Sequence, residues 1–356
     1  MTANAALKNW LIEAANQGAS DLHIVVGHRP TLRLNGRLVE LNADTLETSF
    51  VTESLSTLCD PDKLQQLEDQ KNVDFAVQLD RPEGQQRYRA NYFISGPNMG
   101  ACFRVIPSSI PSFEWSSFPY EVADRLAHFR NGLVLITGVT GAGKTTTLAM
   151  ILNLLNQEGG YRIITAEDPI EYIYPKTENS IVTQREVGHD VQSFADGLKY
   201  GLRQDPDVIL VGEIRDQETA RMAMSAAETG HLVFSTLHTR DAKGAISRFT
   251  DLFSPATQTE VRSQLSMALR AVVSQHLLPS TDDGRRCLAM EIMINNNPIA
   301  SAIRLGKLES IDTGIVTGRA DGMVSLDESL RRLVKDGSIT MDTAKRYVTD
   351  ATILKR

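Results

Sequence analysis

Residues 138–145 read GVTGAGKT, which satisfies the spacing G-x-x-x-x-G-K-S/T. Residue types in that order make a cradle for phosphate. Glycine at 138, 141 and 143 lets the backbone curl until its N–H groups face one anion, and a helix starting immediately afterwards adds the positive end of its dipole. The expected nucleotide-binding set is Gly138, Val139, Thr140, Gly141, Ala142, Gly143, Lys144, Thr145 and Thr146. Lys144 would reach the β and γ phosphates, and the Thr145 hydroxyl would bind Mg²⁺. Kinases, switches, transporters and motors all use such a cradle, so its purpose must be read from the neighbouring residues.

Phosphoryl transfer needs a carboxylate near the metal and a group that orients the attacking water. The run DPDVILVGE at 205–213 ends on Gly212-Glu213 where an Asp is usual, so Glu213 is expected to act on Mg²⁺ through water. In TAEDPIEYI, Glu167, Asp168 and Glu171 follow the strand-like YRII, and Glu167 at the strand's end suits deprotonation of the water. Three carboxylates this close repel one another unless a cation lies among them. His231 and His238 bracket HLVFS, too far apart along a strand to share one ion and without a third ligand nearby, so zinc is not indicated. His238 or Thr236, beside the terminal phosphate, could sense its presence. Each feature also has a plainer reading: a helix cap for Glu213, a solvated acidic turn for 167–171, and histidines satisfied by ordinary hydrogen bonds.

These residues need elements to hold them. Apolar runs LVLITG, YRIITAE, DVILVGE and HLVFSTLH alternate with longer helical patterns, which predicts an α/β domain built on a parallel sheet covered on both faces, over residues 121–297. The phosphate loop falls between the first strand and a helix, as its mechanism requires. Upstream, Leu7, Trp10, Leu11 and Ala14 fall at helical spacing over residues 5–17. Short alternating runs follow, LHIVV, PTLRLNGRLVEL, DFAVQL, RYRANYF and ACFRVI, with a helical stretch at 52–70, and predict a separate α+β domain over 1–107. The Pro- and Ser-rich segment 108–120 reads as a linker, and residues 298–356 read as mostly helical.

At 356 residues and 42% hydrophobic content, the chain has material for two ordinary globular domains. Its three cysteines, Cys59, Cys102 and Cys287, form no C-x-x-C pair, so they predict buried thiols rather than disulfides or a zinc site. No basic leader or apolar run of roughly 18 residues is found, which makes the cytoplasm the expected location. A net charge of -7, with basic pairs such as Arg285 and Arg286 but no basic block, argues against direct nucleic-acid binding.

Taken in order, GVTGAGKTTTL, ITAEDPIEYI, QREVG followed by LRQDPDVILVGEIRDQETA, and AAETGHLVFSTLHT resemble the Walker A, Asp box, Walker B and His box of the secretion ATPases. These are hexameric motors of type IV pili, type II secretion and related machines. The opening GASDLHIVVGHRPTLRLNGRL is similar to the PAS-like N-terminal domain of the pilus retraction branch, the PilT type. The resemblance implies an ATP- and Mg²⁺-dependent hydrolase with a RecA-like core, a homo-hexamer bound to an inner-membrane platform protein, and possible company from a second pilus ATPase. It implies Glu167 as general base, Glu213 as the atypical Walker B acid, and His231 and His238 as the His-box pair. It also makes Arg87, Arg89 and Arg104, in RYRANYF and FRVIP, candidate arginine fingers toward a neighbouring subunit's nucleotide. The longer N-terminal region and the four-cysteine element usual in assembly ATPases are both missing, and length favours the retraction branch; only Ala302, Ile303 and Arg304 resemble the AIRNLIRE helix of that branch. The alternatives are a pilus-assembly, DNA-uptake or conjugative motor and, in a different class, an ATP-dependent regulator without turnover.

Overall fold

Leu7, Leu11 and Ala14 form the buried stripe of the first helix, α1 (Ala3–Asn16), because spacings of three and four keep side chains on one helical face. The computed structural model describes residues 3–34, 36–81, 84–107, 109–282, 286–350 and 352–355, and divides into two units, Met1–Ser109 and Ile110–Arg356. In the first, α1 is followed by β1 (Asp21–Ile24), β2 (Thr31–Leu34), β3 (Arg37–Glu40), α2 (Thr48–Leu58), α3 (Pro61–Gln70), β4 (Asn72–Arg81), β5 (Gly84–Ser95) and β6 (Asn98–Val105). The strands make one antiparallel sheet in the order β3-β2-β1-β6-β5-β4.

Period-two alternation sorts this sheet's side chains. Tyr88, Ala90 and Tyr92 of β5, with Ala101 and Phe103 of β6, are buried in one core with Leu7, Leu11 and Leu55. The two tyrosine hydroxyls avoid an unpaired burial by donating to the helix carbonyls of Leu11 and Leu55, at 2.8 and 3.2 Å. Arg87, Arg89 and Arg104 occupy the alternate positions and therefore share the opposite face.

The second unit runs through α4 (Phe113–Ser116), α5 (Tyr120–Ala127), β7 (Gly132–Thr137), α6 (Lys144–Glu158), β8 (Arg162–Glu167), β9 (Ile181–Glu186), α7 (Phe194–Gly201), β10 (Val208–Val211), α8 (Gln217–Glu228), β11 (Leu232–Leu237), α9 (Ala242–Asp251), α10 (Gln258–Ala268), β12 (Leu269–Pro279) and β13 (Arg286–Ile294). Helices α11 (Asn297–Leu305), α12 (Glu309–Thr317), α13 (Leu326–Lys335) and α14 (Met341–Lys345) complete it. Its sheet has the order β13-β12-β7-β11-β10-β8-β9; every pairing is parallel except β12 with β13. All residues of β7, β10 and β11 are buried, as near-continuous apolar strands in a covered parallel sheet must be.

Three expectations need correction. Most of the segment read as a linker belongs to the second unit from Ile110 onward: Pro and Ser break its periodicity, yet Phe118 is buried in that unit's core with Phe113 packed against it. Ser108 lies outside the described residues. The sheet also has more strands than the four apolar runs indicated. β9 is a half-exposed edge strand with polar Thr183, Gln184 and Arg185, and the β12–β13 hairpin carries Ser, Gln, His and Glu among its apolar residues. Of the three cysteines only Cys59 is buried, where desolvation pushes its thiol up to about 11; Cys102 and Cys287 are half-buried.

Candidate active site

Parallel pairing places the carboxyl ends of the central strands side by side. Thr137 of β7 is in register with Leu237 of β11, and Val211 of β10 with Ser235 of β11 and Ala166 of β8. The residues that follow, Gly138, His238 and Glu213, together with Glu167 at the end of β8, therefore form a row along one edge. In open parallel sheets this edge is where ligands bind.

The phosphate loop joins β7 directly to α6. Gly143 caps that helix with φ 88°, a left-handed conformation that side-chain-bearing residues adopt only with strain. Lys144 is buried in the helix's first turn, its ammonium donating to the carbonyls of Gly138 and Val139 at 2.8 and 3.2 Å. Burial lowers its pKa, and the nearby Glu171 charge works against that. Thr146 shares a hydrogen bond of 2.9 Å with the Tyr172 hydroxyl. Val139, Thr140 and Gly141 are exposed at the loop's crest, Ala142 is buried, and Thr145 is half-buried in the first turn of α6.

Gly138 has φ 145°, and a Cβ there would stand 2.6 Å from the carbonyl oxygen of Gln275 on β12 and 2.8 Å from the Ala142 methyl. Because the obstacle is backbone, the loop rather than a flexible side chain must move. Gly138→Ala is expected to cost about 1–3 kcal/mol of loop geometry, which corresponds to a roughly ten- to hundred-fold weaker nucleotide affinity. Titration with a fluorescent ADP derivative measures it, and unchanged affinity would refute this account of the loop.

Glu167 is 5% exposed, yet one of its oxygens accepts hydrogen bonds from the Thr165 hydroxyl at 2.6 Å and the Gln184 amide at 3.1 Å. Desolvation is the largest influence on it; the two hydrogen bonds oppose that, Glu171 and Glu186 reinforce it, and the carboxyl is pushed up to about 7. A carboxylate with that pKa can exchange a proton near neutrality, as a general base must. Glu213 is also buried. His238 donates through Nε2 to one of its oxygens at 2.9 Å, and the Arg215 guanidinium lies against the other while reaching Asp168 at 3.6 Å. Burial first, then the charges of Lys144 and Arg215, lowers the His238 pKa, which favours the neutral ring.

The site brings together most of the sequence-predicted residues of this unit, with two differences. His231 precedes β11 and lies beside Gly132, at the start of β7, so about 20 Å of strand separates it from the phosphate loop. Its Nδ1 is 3.0 Å from the Ala226 carbonyl. Thr236 donates to the Gly212 carbonyl at 2.7 Å, so its hydroxyl is engaged with the turn before Glu213. Several contributors were missed. Arg215 stands two residues after Glu213, and Gln184 sits in the same QREVG run that carries the family resemblance. From the β12–β13 hairpin, Gln275 packs against Gly138 and Arg286 donates to the Gly141 carbonyl at 3.4 Å. Arg285 lies outside the described residues.

In the first unit, Arg89 and Arg104 are direct cross-strand partners on β5 and β6. Asp74 holds Arg89 at 3.2 Å and the buried Asp21 holds Arg104 at 3.1 Å, while the Arg104 side chain stays 61% exposed. Arg87 lies two residues before Arg89 on the same face.

Known proteins resemble this chain in sequence and in fold. The chain is 41% identical over 332 residues to the Type IV pilus retractation ATPase PilT of Pseudomonas aeruginosa, covering 93% of this chain and 95% of that protein. It is 39% identical over 317 residues to the twitching motility protein of Neisseria gonorrhoeae, covering 89% and 83%. Its structure is similar to a crystal structure of the pilus retraction motor PilT with bound ADP, with a TM-score of 0.88, 40% identity and 98% of each chain covered. Residues 3–302 match the family of type II/IV secretion system proteins, and the chain belongs to that family.

Proposed function

We propose that this protein is an ATP hydrolase that powers type IV pilus retraction as a ring of six subunits. The observation that carries the reading is the row of Lys144, His238, Glu213 and Glu167 along the carboxyl edge, with Glu167 pushed up to about 7. In this reading Lys144 and the loop N–H groups bind the phosphates, Glu167 takes a proton from the attacking water, and His238, fixed on Glu213, registers the terminal phosphate. Thr145, Glu213, Asp168 and Glu171 offer only oxygen donors here, a set that fits Mg²⁺; Thr145 would bind it directly and Glu213 through water. The metal would neutralise charge on the transferring phosphoryl group.

The first unit is read as a PAS-like domain whose Arg87, Arg89 and Arg104 reach a neighbouring subunit's nucleotide. Closing and opening of that interface with each hydrolysis would turn an inner-membrane platform protein, with the motor on the cytoplasmic face. Among the described residues no helix is long and apolar enough to cross a membrane, so attachment through partners is the proposed route. A companion pilus ATPase could share the ring's task, and no direct nucleic-acid contact is included.

The test is phosphate release from ATP and Mg²⁺ by purified protein over a range of subunit concentrations. The rate per subunit should climb with concentration as rings form, and Lys144→Ala should lower it by about three orders of magnitude or more. A concentration-independent rate from a monomer would refute the ring mechanism. Cells lacking the protein should extend pili that never shorten; absence of pili would indicate assembly instead.

A further inference from the structure

One strand touches both the phosphate loop and the segment that carries His238. Three consecutive residues of β12 are polar and buried: Ser274, Gln275 and His276. The Thr137 hydroxyl, last residue of β7, donates to Ser274 at 2.8 Å. Gln275 is 1% exposed, donates to the Thr147 hydroxyl of α6 at 2.8 Å, and sets its backbone carbonyl against Gly138. His276 points to the other face of the sheet, since successive strand residues alternate. Its Nε2 donates to the Arg240 carbonyl at 2.8 Å, two residues beyond His238.

A second anchor reaches the same segment from β13. Glu291 is in register with Ser274 and so shares the face of His276. Its carboxylate accepts from the Ala242 N–H at 2.8 Å. The backbone on either side of Asp241 is thus fastened to the hairpin, and Asp241 itself caps α9 through Gly244 N–H at 2.5 Å. A polar group in a buried strand is costly unless it makes its bonds, so these side chains are not interchangeable with apolar filler.

We propose that Gln275 and His276 are positioning residues that register the His238 segment to the phosphate loop through β12. Gln275 fastens the strand to the helix that begins at the phosphates; His276 and Glu291 fasten it to the segment that aims His238 at Glu213. A shift of the loop on nucleotide binding is thereby passed to His238 through a stiff strand rather than through solvent. The inference rests on the proposed role of His238 in registering the terminal phosphate, but the coupling itself can be read without turnover.

The first measurement is amide hydrogen exchange of the intact protein with and without ADP. ADP should slow exchange across residues 239–244 in the wild type but not in His276→Leu, while both bind ADP with Kd values within about two-fold. Equal protection in the two proteins would overturn the inference whether or not the protein hydrolyses ATP. The second measurement is turnover. His276→Leu should lower kcat by roughly ten- to hundred-fold, the cost of misplacing a reacting group by about 1 Å, with KM little changed. His276→Gln, whose amide reaches the same carbonyl, should recover most of that loss. In a His238→Ala background, adding His276→Leu should change kcat less than about two-fold, because residues acting through one another are non-additive. A multiplicative loss would make His276 a general stability residue and refute the proposal. Wild-type protein that binds ADP without hydrolysing ATP would refute the function proposed above while leaving the exchange result to decide the coupling.

Discussion

Glu167→Gln is expected to bind ATP like the wild type, to turn it over at about one thousandth of the rate or less, and to melt at a higher temperature. The same burial produces both effects. Glu167 is 5% exposed, and taking its charge out of water raises its pKa to about 7. Between pH 4.5, its ordinary value, and 7 the folded protein holds this proton more tightly than the unfolded chain does. The group's contribution to stability is therefore complete below about 4.5 and is lost as pH rises toward 7. Glutamine removes the charge while its carbonyl can still accept from Thr165 and Gln184. The gain should be on the order of 1–3 kcal/mol at pH 8 and near zero at pH 4. Thermal unfolding at the two pH values measures it. For the wild type, kcat should rise with pH through a single ionisation near 7, since only the carboxylate can accept a proton from water. A Gln variant that keeps a tenth of wild-type kcat would remove Glu167 from the chemistry.

What the sequence revealed and what it hid follow from how far apart the interacting residues lie along the chain. The phosphate loop was legible because its work is local: the turn, its glycines and the helix start all fall within one stretch. Glu167, Glu213 and His238 were legible as ends of apolar runs, and parallel pairing of those runs makes their ends neighbours. The direction of a strand also sets His231 apart, since its position before β11 puts it at the far edge. Residues from β12 and β13 escaped notice because more than a hundred positions separate Gln275 from Thr147 and Gly138. A buried Gln or His inside an apolar strand gives no periodic signal; it shows only as a run, SQH, whose polar atoms need partners. The segment 108–120 misled for the opposite reason, since Pro and Ser announce a break while Phe113 and Phe118 anchor it to the second unit's core.

The arginines supply the prediction that bears most directly on assembly. Arg89 and Arg104 stand opposite each other on β5 and β6, and the buried Asp21 carboxylate tethers Arg104 while leaving its side chain largely exposed. The pair is half-buried, so truncating Arg104 leaves the buried Asp21 carboxylate short of a partner and should cost about 1–3 kcal/mol. In the proposed role the pair holds a guanidinium outward in one orientation, at little entropic cost on meeting a triphosphate. Supplied to a neighbour's nucleotide, such a group is worth about three to five orders of magnitude in rate. Arg104→Ala should therefore fall by at least about a thousand-fold in kcat, with ADP affinity close to wild type and a melting temperature a few degrees lower. The decisive experiment mixes Arg104→Ala with Lys144→Ala, each inactive by itself. Where the intact arginine of a Lys144→Ala subunit faces the intact phosphate loop of an Arg104→Ala subunit, one competent site forms. Random head-to-tail mixing in equal amounts should restore about a quarter of wild-type activity. If Arg104 instead serves the nucleotide of its own chain, no pairing of these subunits can build a complete site, and the mixture will stay as inactive as its components.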